Sequence, residues 1–119
     1  MKVSYEGIGQ WAATFACTEA VEGEMVKISG SGEVSACAAG DGFCGQVLSV
    51  GRDGEACAVA LGGMVTASYS GDTAPSLDWC ALVADGEGGV RTAGDDDDNG
   101  RSYLVVDVDT SGKTVTFAL

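Results

Sequence analysis

The chain has 119 residues, of which 45% are hydrophobic and 20% charged, a composition that indicates one globular domain and not a disordered segment. Its formal net charge is −12, from 18 acidic and 6 basic residues, so we expect no binding to nucleic acid or to an anionic membrane surface. Histidine is absent, which excludes nucleophile systems that need a histidine base and zinc sites that include histidine.

Glycine is abundant, with 19 residues against a single proline, and the glycines separate short apolar runs at a spacing of roughly ten residues. No stretch repeats its apolar residues at helical spacing over three turns. We therefore predict an all-β protein, a compact β-barrel or β-sandwich of about 8–10 short strands with little or no helix. The predicted strands are residues 12–17, 24–29, 33–37, 43–50, 55–61, 64–69, 79–85, 90–92, 102–109 and 113–119.

The domain boundary is predicted after an irregular N-terminal arm, residues 1–11, which precedes a single β domain, residues 12–119. Asp53-Gly54 predicts a hairpin, because this dipeptide suits the positive φ angles of primed turns. Ser111-Gly112 predicts a second hairpin, between the last two strands. Alanines on one face of the strand at 55–61 predict close packing there, against a second sheet or a neighbouring chain.

The cysteines are odd in number, and no two have the C-x-x-C spacing of a zinc or redox motif. We predict that they are reduced and act as small buried apolar side chains in strand interiors, with a disulfide or a metal site as the alternative. They are Cys17, Cys37, Cys44, Cys57 and Cys80.

An aspartate run supplies the candidate metal ligands, since Asp95, Asp97, Asn99 and Gly100 match the first half of a calcium-binding loop. The second half does not match, because Val106 stands where the loop requires a bidentate glutamate. We predict a solvated, mobile hairpin tip and no cofactor, with weak cation binding through Asp95, Asp97 and Asn99 as the alternative.

Paired carboxylates of the kind that hydrolyse glycosides are the only catalytic candidates, and they surround the loop that contains Pro75. Nothing in the sequence brings any two of them together, so we predict that the protein is not an enzyme. These candidates are Asp72, Asp78 and Asp85.

Large aromatic side chains are predicted to pack in the core or in an interface, with stacking on sugars as the alternative. This prediction covers Tyr5, Trp11, Phe15, Tyr69 and Trp79.

Five segments follow one another in an order that resembles the small capsid decoration and head-stabilising proteins of tailed phages and prophages. They are GEMVKI at 23–28, GDGFCGQV at 40–47, EACAVALGGMV at 55–65, WCALVADGEGGV at 79–90 and YLVVDVD at 103–109. The resemblance extends from residue 23 to the end of the chain, and the aspartate run at 95–98 departs from it.

The resemblance implies a compact β-barrel or sandwich that binds the outside of an assembled capsid and stabilises the shell by contacts with its subunits. The implied partner is the major capsid protein, and the implied assembly is a homo-oligomer, with a trimer favoured. The expected location is the virion surface, and the host bacterial cytoplasm during assembly. The first residues lack the apolar segment of a signal peptide, which agrees with that location. The alternatives are a ligand-binding β-module for sugars or calcium and, more remotely, a carboxylate hydrolase.

Overall fold

The computed structural model describes residues 8–119, which form ten β-strands and no helix, so the all-β prediction is confirmed. A helix with the length and apolarity of a membrane span is likewise absent from these residues. The strands are β1 (Trp11–Ala16), β2 (Met25–Gly30), β3 (Glu33–Ala36), β4 (Gly45–Val50), β5 (Ala56–Gly62), β6 (Met64–Ser68), β7 (Asp78–Ala84), β8 (Val90–Thr92), β9 (Arg101–Asp109) and β10 (Thr114–Ala118).

The first five strands form a closed barrel in the order β1-β3-β2-β4-β5. β1 is antiparallel to β5 along its whole length, and a parallel bridge between Ala16 and Glu33 closes the barrel. Successive side chains of a strand point to opposite faces, so one set of apolar side chains points into the barrel and forms the barrel core. The buried members of the barrel core are Cys17, Val26, Val34, Val47, Cys57 and Val59.

The other five strands form an antiparallel sheet in the order β6-β10-β9-β7-β8. The predicted hairpin between the last two strands is confirmed, since Val115 pairs with Val108. The predicted turn at Asp53-Gly54 is also confirmed, because β4 and β5 pair and Gly54 has a φ of +74°.

A second core, the intersheet core, lies between this sheet and the outer wall of the barrel. β5 belongs to both cores, because Val59 faces into the barrel and its fully buried neighbour Ala60 faces the sheet. The close packing predicted for the alanine face of β5 is therefore confirmed at Ala60. The intersheet core contains a cluster of three aromatic side chains, Phe43, Tyr103 and Phe117.

β1 begins at Trp11, the last residue of the predicted N-terminal arm. Residues 1–7 of the predicted arm lie outside the described residues. Residues 8–10 contact the start of β6, because the Ile8 carbonyl accepts a hydrogen bond from the Met64 N–H at 2.9 Å.

The cysteines are all free thiols. Cys17, Cys57 and Cys80 are buried as predicted, but Cys37 and Cys44 are only half-buried. The prediction that the cysteines lie inside strands is wrong for Cys17, Cys37 and Cys44, because β1 ends at Ala16, β3 ends at Ala36 and β4 begins at Gly45. Burial still raises the pKa of Cys37 and of Cys57, to about 11 in each case, so both thiols are uncharged at neutral pH.

Candidate binding surface

The outward face of the second sheet carries an apolar row that crosses four adjacent strands. Strand pairing places Met64 beside Ala118, Ala118 beside Leu104, and Leu104 beside Trp79. Strands lie about 4.8 Å apart, so this row is about 14 Å long. We call these four residues the outer row. Each faces away from the intersheet core, because a neighbouring residue on the same strand belongs to that core.

The outer row ends in a prominent apolar projection at the start of β7. Trp79 is 66% exposed and Leu77 is 63% exposed, the two largest values among the exposed large apolar side chains. Asp78 lies between them with a φ of +72°, a conformation that non-glycine residues seldom adopt. The backbone therefore presents two apolar side chains to solvent on either side of a constrained residue, a combination more typical of binding sites than of ordinary surface.

Exposed carboxylates lie on the same two strands as this projection. Asp78 is exposed within it, and Asp107 and Asp109 are exposed on β9, the strand that carries Leu104. We call Asp78, Asp107 and Asp109 the acidic rim. They lie toward one end of β9, whereas Arg101 is exposed at its other end, so the acidic end is complementary to an apolar socket that carries basic residues.

Of the aromatic residues predicted to pack in the core or in an interface, some lie in the core and others are exposed. Tyr69 is buried and Phe15 packs against the barrel core, as predicted, while Tyr5 lies outside the described residues. Trp11 and Trp79 are 60% and 66% exposed, so they do not pack in the core, and their packing in an interface stays a prediction. The sequence around Trp79 resembles a buried strand because the residues that follow Trp79 are apolar. The residue before it, Asp78, has the unusual φ angle.

The acidic segment at residues 93–100 is a crossover and not a hairpin tip. It joins β8 to β9, which are separated in the sheet by β7, so the segment must cross β7. The Ala93 N–H donates to the Ala81 carbonyl at 2.9 Å, and a side chain added at Gly100 would contact Ala93 and Val83. Val83 faces outward yet is fully buried, because the crossover covers it.

An ion pair holds the crossover in place. The Arg91 guanidinium donates to both carboxylate oxygens of Asp97, at 2.7 and 3.0 Å, and the Gly94 N–H donates to Asp97 at 2.7 Å. The hydrogen bond from Arg91 is the main reason that the pKa of Asp97 is lowered from 3.8 to about 2. The prediction of a solvated, mobile tip is therefore wrong at Asp97. The sequence does not show that Arg91 lies opposite Asp97.

The three candidate metal ligands have different surroundings. Asp95 and Asn99 are exposed, whereas both oxygens of Asp97 already accept hydrogen bonds from Arg91. Residues 8–119 contain no group of three acidic or thiol side chains positioned to hold a metal ion. A cation at Asp97 would have to displace the guanidinium.

Replacing Asp97 by asparagine is expected to lower the melting temperature at pH 7, because the ion pair to Arg91 is lost. The folded pKa lies below the ordinary value, so this stabilisation is present above about pH 4 and is lost as the pH falls to about 2. The difference in melting temperature between wild type and Asp97→Asn should therefore shrink over that range, as measured by circular dichroism. Asp95→Asn is the control, and an equal effect of both variants would contradict the role given to the ion pair.

The candidate carboxylates of β7 are too far apart to work as a pair. Asp78 begins the strand and Asp85 follows its last residue, which places them roughly 20 Å apart, whereas glycosidase carboxylates are about 5–10 Å apart. Asp85 accepts hydrogen bonds from the Ser70 hydroxyl and from the N–H groups of Glu87 and Gly89, so it shapes the β7–β8 turn.

Comparison with known protein families finds no matching family model, and no curated protein is significantly similar to the chain. Any assignment of function therefore comes from the residues and contacts of this chain.

Proposed function

We propose that this protein is a structural component of a phage or prophage particle, which binds the outside of the capsid shell and stabilises it through contacts with the major capsid protein. It acts by binding and not by catalysis. The observation that carries the proposal is the apolar projection formed by Leu77 and Trp79 at the end of the outer row. The five sequence segments that resemble capsid decoration proteins are the reason for proposing the major capsid protein as the partner.

The outer row is suited to a protein surface for two reasons. Its side chains stand on four paired strands, so little conformational entropy is lost when a partner covers them. Exposed tryptophan and leucine side chains also supply the kind of apolar anchor that dominates binding energy at protein interfaces. The acidic rim at Asp78, Asp107 and Asp109 fits a shell surface that presents lysine or arginine around an apolar socket.

The proposed assembly is a homotrimer on the virion surface, assembled in the host bacterial cytoplasm. A trimer presents three outer rows to the shell at once, and linked sites bind more tightly than separate ones. The net charge of −12 favours a position on the exterior of the shell, away from packaged nucleic acid. The mass of the free protein in solution is to be measured before any binding experiment, and a monomer would argue against this assembly.

Replacing both Leu77 and Trp79 by alanine is expected to weaken binding to assembled shells by at least tenfold, because two exposed anchors of about 1–2 kcal/mol each are lost. The measurement is cosedimentation with expanded capsid shells of the phage or prophage whose genome encodes this protein. Since both side chains are mostly exposed, the variant should remain folded, with a stability change within about 1 kcal/mol.

Ile28→Ala is the matched control, because Ile28 is also an exposed apolar side chain at 54% but lies on β2 of the barrel. It should leave shell binding unchanged. Equal binding by wild type and the double variant would refute the docking surface. The second candidate function is sugar binding by an exposed tryptophan. It would replace the first if the protein did not bind shells and bound a glycan that the Trp79→Ala variant does not bind.

A further inference from the structure

One side of β1 is unpaired along most of the strand. The other side pairs with β5 from end to end, whereas β3 meets β1 only through the parallel bridge between Ala16 and Glu33. Within residues 8–119, no strand pairs with this side of residues 11–15. Residues 11–14 are exposed and Phe15 is half-buried, so this stretch is open to solvent. We call the unpaired side of residues 11–15 the β1 edge.

The β1 edge presents free backbone groups at two positions. The Ala16 N–H donates to the Gly32 carbonyl at 2.9 Å, so the backbone groups of Ala16 are directed away from β5. Because these groups alternate between the two sides of a strand, the N–H and C=O groups of Ala12 and Thr14 face the β1 edge. Within residues 8–119 they have no hydrogen-bond partner on that side. They lie about 7 Å apart, the spacing that a second extended strand presents.

No device that normally protects a strand edge is present in β1. Its sequence, WAATFA, contains no charged residue, proline or glycine. The irregularity in its pairing with β5 places the extra residue, Leu61, on β5, so β1 itself is regular. An exposed, regular and uncharged edge strand is a template for another strand.

The β1 edge is complementary to a second copy of itself. An antiparallel pair centred on Ala13 places Ala12 opposite Thr14 of the second copy, and Thr14 opposite Ala12. The free N–H and C=O groups of both copies then form four hydrogen bonds. The same register places Trp11 opposite Phe15 of the second copy, twice by symmetry, and aromatic residues are favourable cross-strand neighbours. At the centre, the two small Ala13 side chains face each other.

Both ends of the β1 edge allow this register. The second copy's strand begins at Trp11, opposite Phe15, and so stops one residue short of Ala16, where β3 already pairs with β1. The residues before Trp11 do not continue along the edge, because the Ile8 carbonyl accepts a hydrogen bond from the Met64 N–H on the far side of β5. The paired strands therefore meet neither β3 nor residues 8–10 of the other copy.

We propose that two copies of this chain pair through their β1 edges, antiparallel and about a two-fold axis at Ala13, so that the walls of two barrels join in one sheet. The contact lies on the barrel and uses no residue of the outer row, so it does not rest on the proposed function. A two-fold contact doubles any assembly that other surfaces form. Together with the proposed trimer it gives a pair of trimers.

The first measurement is the mass of the full chain by analytical ultracentrifugation, from about 1 to about 200 μM. Salt at about 0.15 M screens the repulsion between copies that each carry a charge of −12. The largest species should contain an even number of chains, either two or, with the trimer, six. A monomer or a trimer as the largest species would overturn the β1 contact. A dimer would support this contact while arguing against the trimer.

Disulfide cross-linking with oxidised glutathione tests the register. In the proposed pairing the two Ala13 residues form a non-hydrogen-bonded pair with Cα atoms about 4.5 Å apart, within reach of a disulfide. Ala13→Cys should therefore give a covalent dimer on a non-reducing gel. Ala16→Cys is the control, because it is also exposed on β1 but lies roughly 20 Å from its counterpart. Wild type reports the background from the native cysteines, and equal cross-linking of the two variants would overturn the register.

Thr14→Pro tests the backbone hydrogen bonds. It removes an N–H that β5 does not use, and an edge strand tolerates proline at such a position. By symmetry two of the four hydrogen bonds are lost, so the dissociation constant of the β1 contact should rise at least tenfold. Thr14→Val keeps both the N–H and the branched side chain and should associate like wild type. Equal association of the folded proline and valine variants, with folding checked by circular dichroism, would refute strand pairing.

Discussion

Replacing Phe117 by alanine is expected to lower the free energy of unfolding by about 3–5 kcal/mol, the range for truncating a buried phenylalanine. Phe117 is fully buried, and its ring centroid lies 6.0 Å from that of Phe43 and 5.3 Å from that of Tyr103. Alanine would leave a cavity where the barrel wall, the loop before β4 and the second sheet meet. Because domains of this kind are stable by about 5–15 kcal/mol, the loss is a large fraction of the total.

Urea denaturation measures this effect, with Trp79→Ala as the control for removing an aromatic ring from an exposed site. The control should change the stability by no more than about 0.5 kcal/mol. If Phe117→Ala does not fold, Phe117→Leu keeps most of the volume and should give a smaller, measurable loss. A loss below about 1 kcal/mol for a folded Phe117→Ala would show that this ring does not hold the two sheets together.

Replacing Gly45 by alanine is expected to destabilise the protein by about 3 kcal/mol, the upper end for overpacking. A β-carbon at this position would lie 2.1 Å from the carbonyl oxygen of Ala60 and 2.8 Å from a methyl group of Val59. The oxygen belongs to the backbone of β5, so no side-chain rotation relieves the clash. β4 and β5 would have to separate at this point of the barrel wall.

Gly30→Ala is the matched control, because a β-carbon there would meet only atoms of the Glu33 side chain, at 3.6 to 3.9 Å. Its stability should change by no more than about 0.5 kcal/mol. If the two glycine variants lost similar amounts of stability, the destabilisation would come from the general flexibility of glycine and not from the close approach of β5 to Gly45.

The acidic residues have two different roles, which the composition alone does not show. Asp53, Asp85 and Asp109 each accept a backbone N–H at a turn, as short polar side chains do in Asx-turns. Asp97 is held by Arg91, while Glu22 and Glu87 are exposed to solvent. The net charge of −12 therefore includes carboxylates that fix the fold and carboxylates that are available to a partner.

The strand pattern was predictable from the sequence because turn chemistry and alternation are local. Glycines at the turns and alternating apolar residues place each strand within one or two residues of its position in the structure. The hairpins at residues 53–54 and 111–112 also follow from local turn preferences, since each joins strands that are adjacent in both sequence and space. The all-β class and the strand count thus required no tertiary information.

The position of the functional surfaces depended on the tertiary structure, because it depends on which strands become neighbours. The outer row brings together Met64, Trp79, Leu104 and Ala118, which stand on four different strands. The crossover at residues 93–100 was likewise not predictable from the sequence. The ion pair between Asp97 and Arg91 forms because the crossover passes over β7 in the non-sequential order β9-β7-β8. Local sequence sets where strands begin and end, whereas long-range packing of two cores decides which side chains lie buried and which are left for a partner.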